Sequence, residues 1–99
     1  MGGFRIKIVK VVGSNRKHKV LVYALSTCIW CKQVKSFLKS NDIEYEYVDV
    51  DLSSKEDQEK IRKHIYDLGG RFSFPTIIID EDNLITGHHE DRLRRVLET

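Results

Sequence analysis

Two cysteines stand three residues apart in Cys28-Ile29-Trp30-Cys31, and they are the only cysteines among 99 residues. Thiols at that spacing lie one helical turn apart, which suits a reversible disulfide. One thiolate attacks a substrate disulfide, and the second displaces the product from the resulting mixed disulfide. The flanking pattern sets the pair where an apolar strand hands over to an amphipathic helix. A sulfur at a helix start meets N–H groups that lack intrahelical partners, and it meets the positive end of the helix dipole; both favour thiolate over thiol. Cys28, at the exposed start, is therefore read as the nucleophile, and Cys31, inside the first turn, as the resolving thiol. Lys32 and Lys35 add positive charge nearby. Two other readings stay open. The cysteines could hold zinc with His88 and His89, although zinc sites usually draw their second ligand pair from residues three to five apart. They could also be inert core residues, which leaves their position at a helix start unexplained.

A second signal is Ser73-Phe74-Pro75-Thr76. Pro75 is the only proline of the chain, and it cannot donate to a strand ladder, so it marks a strand start or a special turn. Asp49 and Asp51 read as a solvated strand end, and His88-His89 as a surface turn before the last helix. Trp30 reads either as a ring half exposed beside the thiols or as the top of the helix's core stripe.

The elements that must position these residues follow from periodicity. Phe4, Ile6 and Ile8 alternate with Arg5, Lys7 and Val9, which predicts a half-buried strand running on to Val11. Gly13 to Lys17 carries turn chemistry. Val20-Leu21-Val22-Tyr23-Ala24 is a continuous apolar run, as in a strand covered on both faces. Trp30, Val34, Phe37 and Leu38 form one helical stripe that ends at Asn41-Asp42. Tyr45 to Val50 reads as a strand, with Tyr45 and Tyr47 on one face. Ser53 and Glu56 predict a capping box for a helix whose stripe is Ile61, Ile65 and Leu68 and whose stop is Gly69-Gly70. Thr76 to Ile79 is a core strand, Asp80 to Asn83 a hairpin turn, and Leu84 to Thr86 the return strand. Leu93, Val96 and Leu97 mark a last helix. Strands separated by helices predict parallel crossovers, and the short hairpin predicts one antiparallel pair.

Composition bounds the rest. The chain is 40% apolar and 32% charged, with 17 basic residues against 15 acidic ones and a net charge of +2. That balance offers no footprint for nucleic acid. No apolar run approaches the roughly 18 residues of a membrane span, and two cysteines make no secreted disulfide scaffold. Met1 to Ile6 lacks the layout of a secretory signal, and Ile6 stands where a myristoylation pattern needs Ser or Thr. The expectation is a single domain over 1–99, cytoplasmic and monomeric.

Taken together, four blocks resemble the glutaredoxins, members of the thioredoxin-fold disulfide oxidoreductases. They are Val22 to Lys32 with its two cysteines, Tyr45 to Asp51, Phe74-Pro75-Thr76, and Gly87 with Asp91 and Leu93. The resemblance runs from Val20 to Leu97. It implies an α/β thioredoxin-like fold: a mixed four-stranded sheet with helices on both faces over 20–97, to which 1–19 adds an N-terminal strand and loop. It implies a dithiol–disulfide cycle of Cys28 and Cys31 that reduces protein or glutathione mixed disulfides. It also implies that Pro75 is cis and faces Cys28, and that Phe74 offers its backbone to a bound thiol peptide. Substrate contacts are expected from Trp30, Arg71, Phe74, Pro75, Gly87 and His88. Ile29-Trp30 replaces the family's usual Pro-Tyr, and Phe74 stands where a valine is usual. The lysine that usually precedes the first cysteine is missing from Ala24-Leu25-Ser26-Thr27, which leaves Arg71 as the candidate for its charge. No cofactor is required, and glutathione is a candidate co-substrate. The expected partners are disulfide-containing proteins and a donor, either glutathione or a reductase of the thioredoxin-reductase type. The alternative is a carrier that holds a metal or an iron–sulfur cluster with the same cysteines.

Overall fold

A computed structural model describes residues 7–98. Five strands and three helices follow in order: β1 (Val9–Val11), β2 (Val20–Ala24), α1 (Ile29–Ser40), β3 (Tyr45–Asp49), α2 (Lys55–Asp67), β4 (Thr76–Ile79), β5 (Asn83–Thr86) and α3 (Glu90–Leu97). The strands form one sheet in the order β1-β3-β2-β4-β5. This is the thioredoxin-like architecture expected from the resemblance, with β1 as the added edge.

The central strands are apolar on both faces because both faces are covered. Val20, Val22 and Ala24 of β2 join Ile77 and Ile79 of β4 under α1 and α3, against Val34, Leu38, Leu93 and Leu97. The alternate residues Tyr23 and Ile78 turn to the other face and meet Ile61 and Ile65 of α2. On that face the Tyr23 hydroxyl lies 2.8 Å from His64 Nδ1, tying β2 to α2.

Strand direction departs from the sequence expectation. β2 and β3 are parallel, but β1–β3, β2–β4 and β4–β5 are all antiparallel, so there are three antiparallel pairs and not one. An intervening helix forces a parallel pair only if the chain re-enters the sheet at the far end. Here the eight residues 68–75 separate α2 from β4 and can span about 26 Å when extended. That exceeds the length of a four-residue strand, so the chain returns to the end it left, and Thr76 pairs with Tyr23. The consequence is functional. The start of β4 and the end of β2 lie at one edge of the sheet, which brings Pro75 to the end where Cys28 stands.

Three local expectations also shift. The first strand's face is carried by Val11, which packs against the core and pairs with Tyr45, while Ile8 lies outside the strand and is exposed; Phe4 and Ile6 lie outside the described residues. The α2 cap is Ser54 rather than Ser53, its hydroxyl accepting from the Asp57 N–H at 3.1 Å. Ser53 instead closes the 3₁₀ turn Val50–Leu52, into which the third strand's predicted last residue falls. The stop at Gly69-Gly70 matches its expectation: Gly69 has φ +85°, and the two glycine N–H groups donate to Tyr66 and Ile65.

Among the described residues, no helix is long and apolar enough to cross a membrane.

Candidate active site

Cys28 is the N-cap of α1. Its backbone is extended, at φ −84° and ψ 120°, and its sulfur accepts the Cys31 N–H at 3.2 Å. A cap position normally taken by Ser, Thr, Asp or Asn is here filled by sulfur, so one of the helix's orphan N–H groups points at the reacting atom. The Cys28 N–H donates to the Leu25 carbonyl at 3.2 Å, which fixes the loop that leaves β2.

The two thiols differ in exposure. Both are free; Cys28 is half-buried and Cys31 wholly buried. Cys31 takes the place in the helix stripe that the sequence offered to Trp30, which is 58% exposed. Burial pushes the Cys31 thiol up to about 12, and its hydrogen bond with Cys28 adds to the effect. A backbone hydrogen bond with Leu25 opposes the rise, and so, more weakly, does the Lys35 ammonium. It lies 3.4 Å from Asp49 Oδ1 and 3.8 Å from the centre of the Tyr47 ring.

Asp51 has a role that the sequence did not disclose. Its carboxylate accepts the Ser26 N–H at 2.8 Å and the Ser26 hydroxyl at 2.6 Å. These bonds hold the Asp51 carboxyl below its ordinary range, the Ser26 hydroxyl being the larger cause. They anchor the loop before Cys28 to the turn after β3. The partners are 25 residues apart, and only the parallel pairing of β2 with β3 brings them together.

Across from the helix start, the Phe74–Pro75 bond is cis and Pro75 is buried. The Thr76 hydroxyl donates to the Ser73 carbonyl at 2.6 Å, and the Gly87 N–H to the Pro75 carbonyl at 2.8 Å, which fastens this turn to the end of β5. A groove of about 300 Å³ is lined by Trp30, Phe74, Pro75, Gly87, His88 and His89. Five of the six residues expected to contact substrate therefore share one groove. Arg71 does not line it; its side chain is exposed in the loop before Phe74. His89 was not among the expected contacts. Its ring covers Gly87, where φ is +94° and a Cβ would lie 3.1 Å from His89 Nε2. The zinc reading needs Cys28, Cys31, His88 and His89 around one point. Among the described residues, no three His, Cys, Asp or Glu groups are arranged to hold a metal ion.

A thioredoxin-like sheet with a Cys-X-X-Cys pair at the start of its first long helix, facing a cis-proline turn, defines a thiol–disulfide oxidoreductase. Comparison with known proteins narrows the class. The glutaredoxin family model matches residues 20–84. Glutaredoxin 1 of Rickettsia prowazekii is 31% identical over 87 residues, covering 82% of this chain and 88% of that protein. The crystal structure of the glutaredoxin from Methanosarcina mazei superposes with a TM-score of 0.84 at 33% identity, covering 93% of this chain and 88% of that one. The methanoredoxin of Methanosarcina acetivorans gives 0.77 at 36% identity, covering 82% and 85%. The chain belongs to the glutaredoxin family.

Proposed function

We propose that the chain reduces disulfides of protein substrates, and mixed disulfides with glutathione, by a dithiol–disulfide cycle in which Cys28 attacks and Cys31 resolves. The observation that carries this reading is the asymmetry of the pair: Cys28 is accessible and caps the helix, while Cys31 is buried with its proton held up to about 12. The Cys28 thiolate attacks one sulfur of the substrate disulfide. That S–S bond breaks, a Cys28–substrate disulfide forms, and the first substrate sulfur leaves as a thiolate. Cys31 then gives up its proton to the departing thiolate or to water and attacks Cys28 Sγ. The second substrate thiol leaves, and Cys28–Cys31 remains as a disulfide. Two electrons have passed to the substrate, and a donor dithiol or two glutathione molecules return the pair to the reduced form.

The order of steps has a physical basis. A charged Cys28 and its hydrogen bond both hold the Cys31 proton in place. Both influences vanish when Cys28 enters the mixed disulfide, so Cys31 becomes easier to ionise at the moment it is needed.

Phe74 and Pro75 present substrate backbone contacts in this reading, and Trp30, Gly87 and His88 line the remainder of the groove. The missing lysine before Cys28 removes one charge-assisted bond to a glutathione carboxylate, and Arg71 stands outside the groove. The donor is then a reductase dithiol more than glutathione, and the protein works as a cytoplasmic monomer with no resident cofactor. Alkylation of the reduced protein at pH 6, with the label mapped by peptide mass, tests the assignment of the thiols. Cys28 carries nearly all the label; equal labelling, or a majority at Cys31, overturns the assignment.

A further inference from the structure

Trp30 is a large apolar side chain left 58% exposed on the first turn of α1. It is nonetheless not loose. Its ring stacks on His88, with centroids 5.7 Å apart and planes 24° from parallel. His88 is held in turn, its Nε2 lying 2.9 Å from Glu90 Oε2. Glu90 opens α3, which is seated by the buried Leu93 and Leu97. A chain of contacts thus runs from the anchored helix α3 through Glu90 and His88 to a ring two residues from Cys28. Phe74 and Pro75 form the other side of the same groove, and none of its lining residues is a carboxylate or an ammonium.

We propose that His88, braced by Glu90, is a positioning residue that fixes Trp30 as one wall of the groove, and that the groove so formed prefers polypeptide disulfides carrying an apolar side chain next to the reacting cysteine. The preference rests on the oxidoreductase reading; the bracing of Trp30 does not. Offset stacking between rings adds to plain burial, and an unbraced indole must be ordered anew by each substrate, which weakens binding.

Trp30 is the only tryptophan, so tryptophan emission reports on this ring alone. The test measures steady-state anisotropy of that emission together with reduction kinetics on two probes, a synthetic cystine peptide flanked by Phe and bis(2-hydroxyethyl) disulfide. In His88→Ala the anisotropy falls. The ratio of KM for the Phe peptide to KM for the small disulfide rises roughly three- to tenfold, through KM more than kcat. His88→Phe, which keeps a stacking ring, restores both readouts, and Glu90→Ala shifts both in the direction of His88→Ala. Unchanged anisotropy in a folded His88→Ala overturns the bracing. An equal rise in KM for both probes overturns the substrate preference. Failure of the wild type to reduce either disulfide overturns the oxidoreductase reading and the preference with it, and the anisotropy then decides the bracing by itself.

Discussion

Cys28 and Cys31 are chemically identical and three residues apart, yet their surroundings differ: Cys28 caps α1 half-buried, and Cys31 is wholly buried. That difference in setting was legible in the sequence because a strand-to-helix junction is a strong local signal. The degree of the asymmetry was not, because Cys31 is buried in a core whose other members arrive from distant elements, β2, β4 and α3 among them. With its thiol pushed up to about 12, chiefly by burial, Cys31 stays protonated at pH 8. Burial is the larger cause, so the effect survives loss of Cys28. In Cys28→Ser, alkylation of Cys31 at pH 8 is therefore at least a hundredfold slower in the folded protein than in urea; similar rates in the two conditions contradict the buried setting of this thiol. Asp51 marks the limit of sequence reading at this scale. An acidic residue at a strand end looks solvated, and nothing local pairs it with Ser26.

At the scale of elements, periodicity found the strands and helices but not their directions or exact ends. The β3–α2–β4 connection resembles a parallel crossover in sequence, since strand, helix and strand follow in order. Only the length of the segment 68–75 hints at the reversal that brings Pro75 to the site. The loop between β1 and β2 illustrates close backbone packing: a Cβ on Gly13 would lie 2.6 Å from the Asp42 carbonyl oxygen. Gly13→Ala is expected to lower the unfolding free energy by about 1–3 kcal/mol, measured by urea denaturation, because neither backbone can yield cheaply. Ser54→Ala removes the α2 cap and costs about 1 kcal/mol; the same denaturation series separates it from Ser53→Ala, which leaves that cap in place.

His18 joins elements that the sequence leaves far apart. Its Nδ1 lies 2.7 Å from Asp80 Oδ2, in the β4–β5 turn, and its Nε2 lies 3.1 Å from Glu98 Oε2, beyond α3. Both ring nitrogens face carboxylates, so both donate only when the ring is protonated. The bonds to Asp80 and then to Glu98 raise His18 above its ordinary value of 6.5. A raised folded value means the stabilisation is complete below pH 6.5 and disappears as pH climbs through that folded value. The difference in melting temperature between the wild type and His18→Gln is therefore largest at pH 5.5–6 and shrinks toward pH 9. A constant difference across that range contradicts the clasp.

For the whole molecule, two apolar faces of one sheet, three helices and an antiparallel return strand serve to bring one thiol, one buried thiol and one proline turn to the same edge. The family and the fold class were legible from four short blocks of sequence, and so were five of the six residues that line the groove; the sixth, His89, was not, since in sequence it reads as part of a surface turn before the last helix. The two-step cycle is tested by trapping its intermediate. Cys31→Ser, with Cys31→Ala as a second variant in case a hydroxyl is poorly tolerated in the core, is mixed with an oxidised peptide substrate and analysed by intact mass and peptide mapping. The expected result is a stable one-to-one mixed disulfide located at Cys28, no such adduct persisting in the wild type, and no reductase turnover in Cys28→Ser. Turnover in Cys28→Ser at the wild-type rate, or an adduct absent from both Cys31 variants while they remain folded, would contradict it.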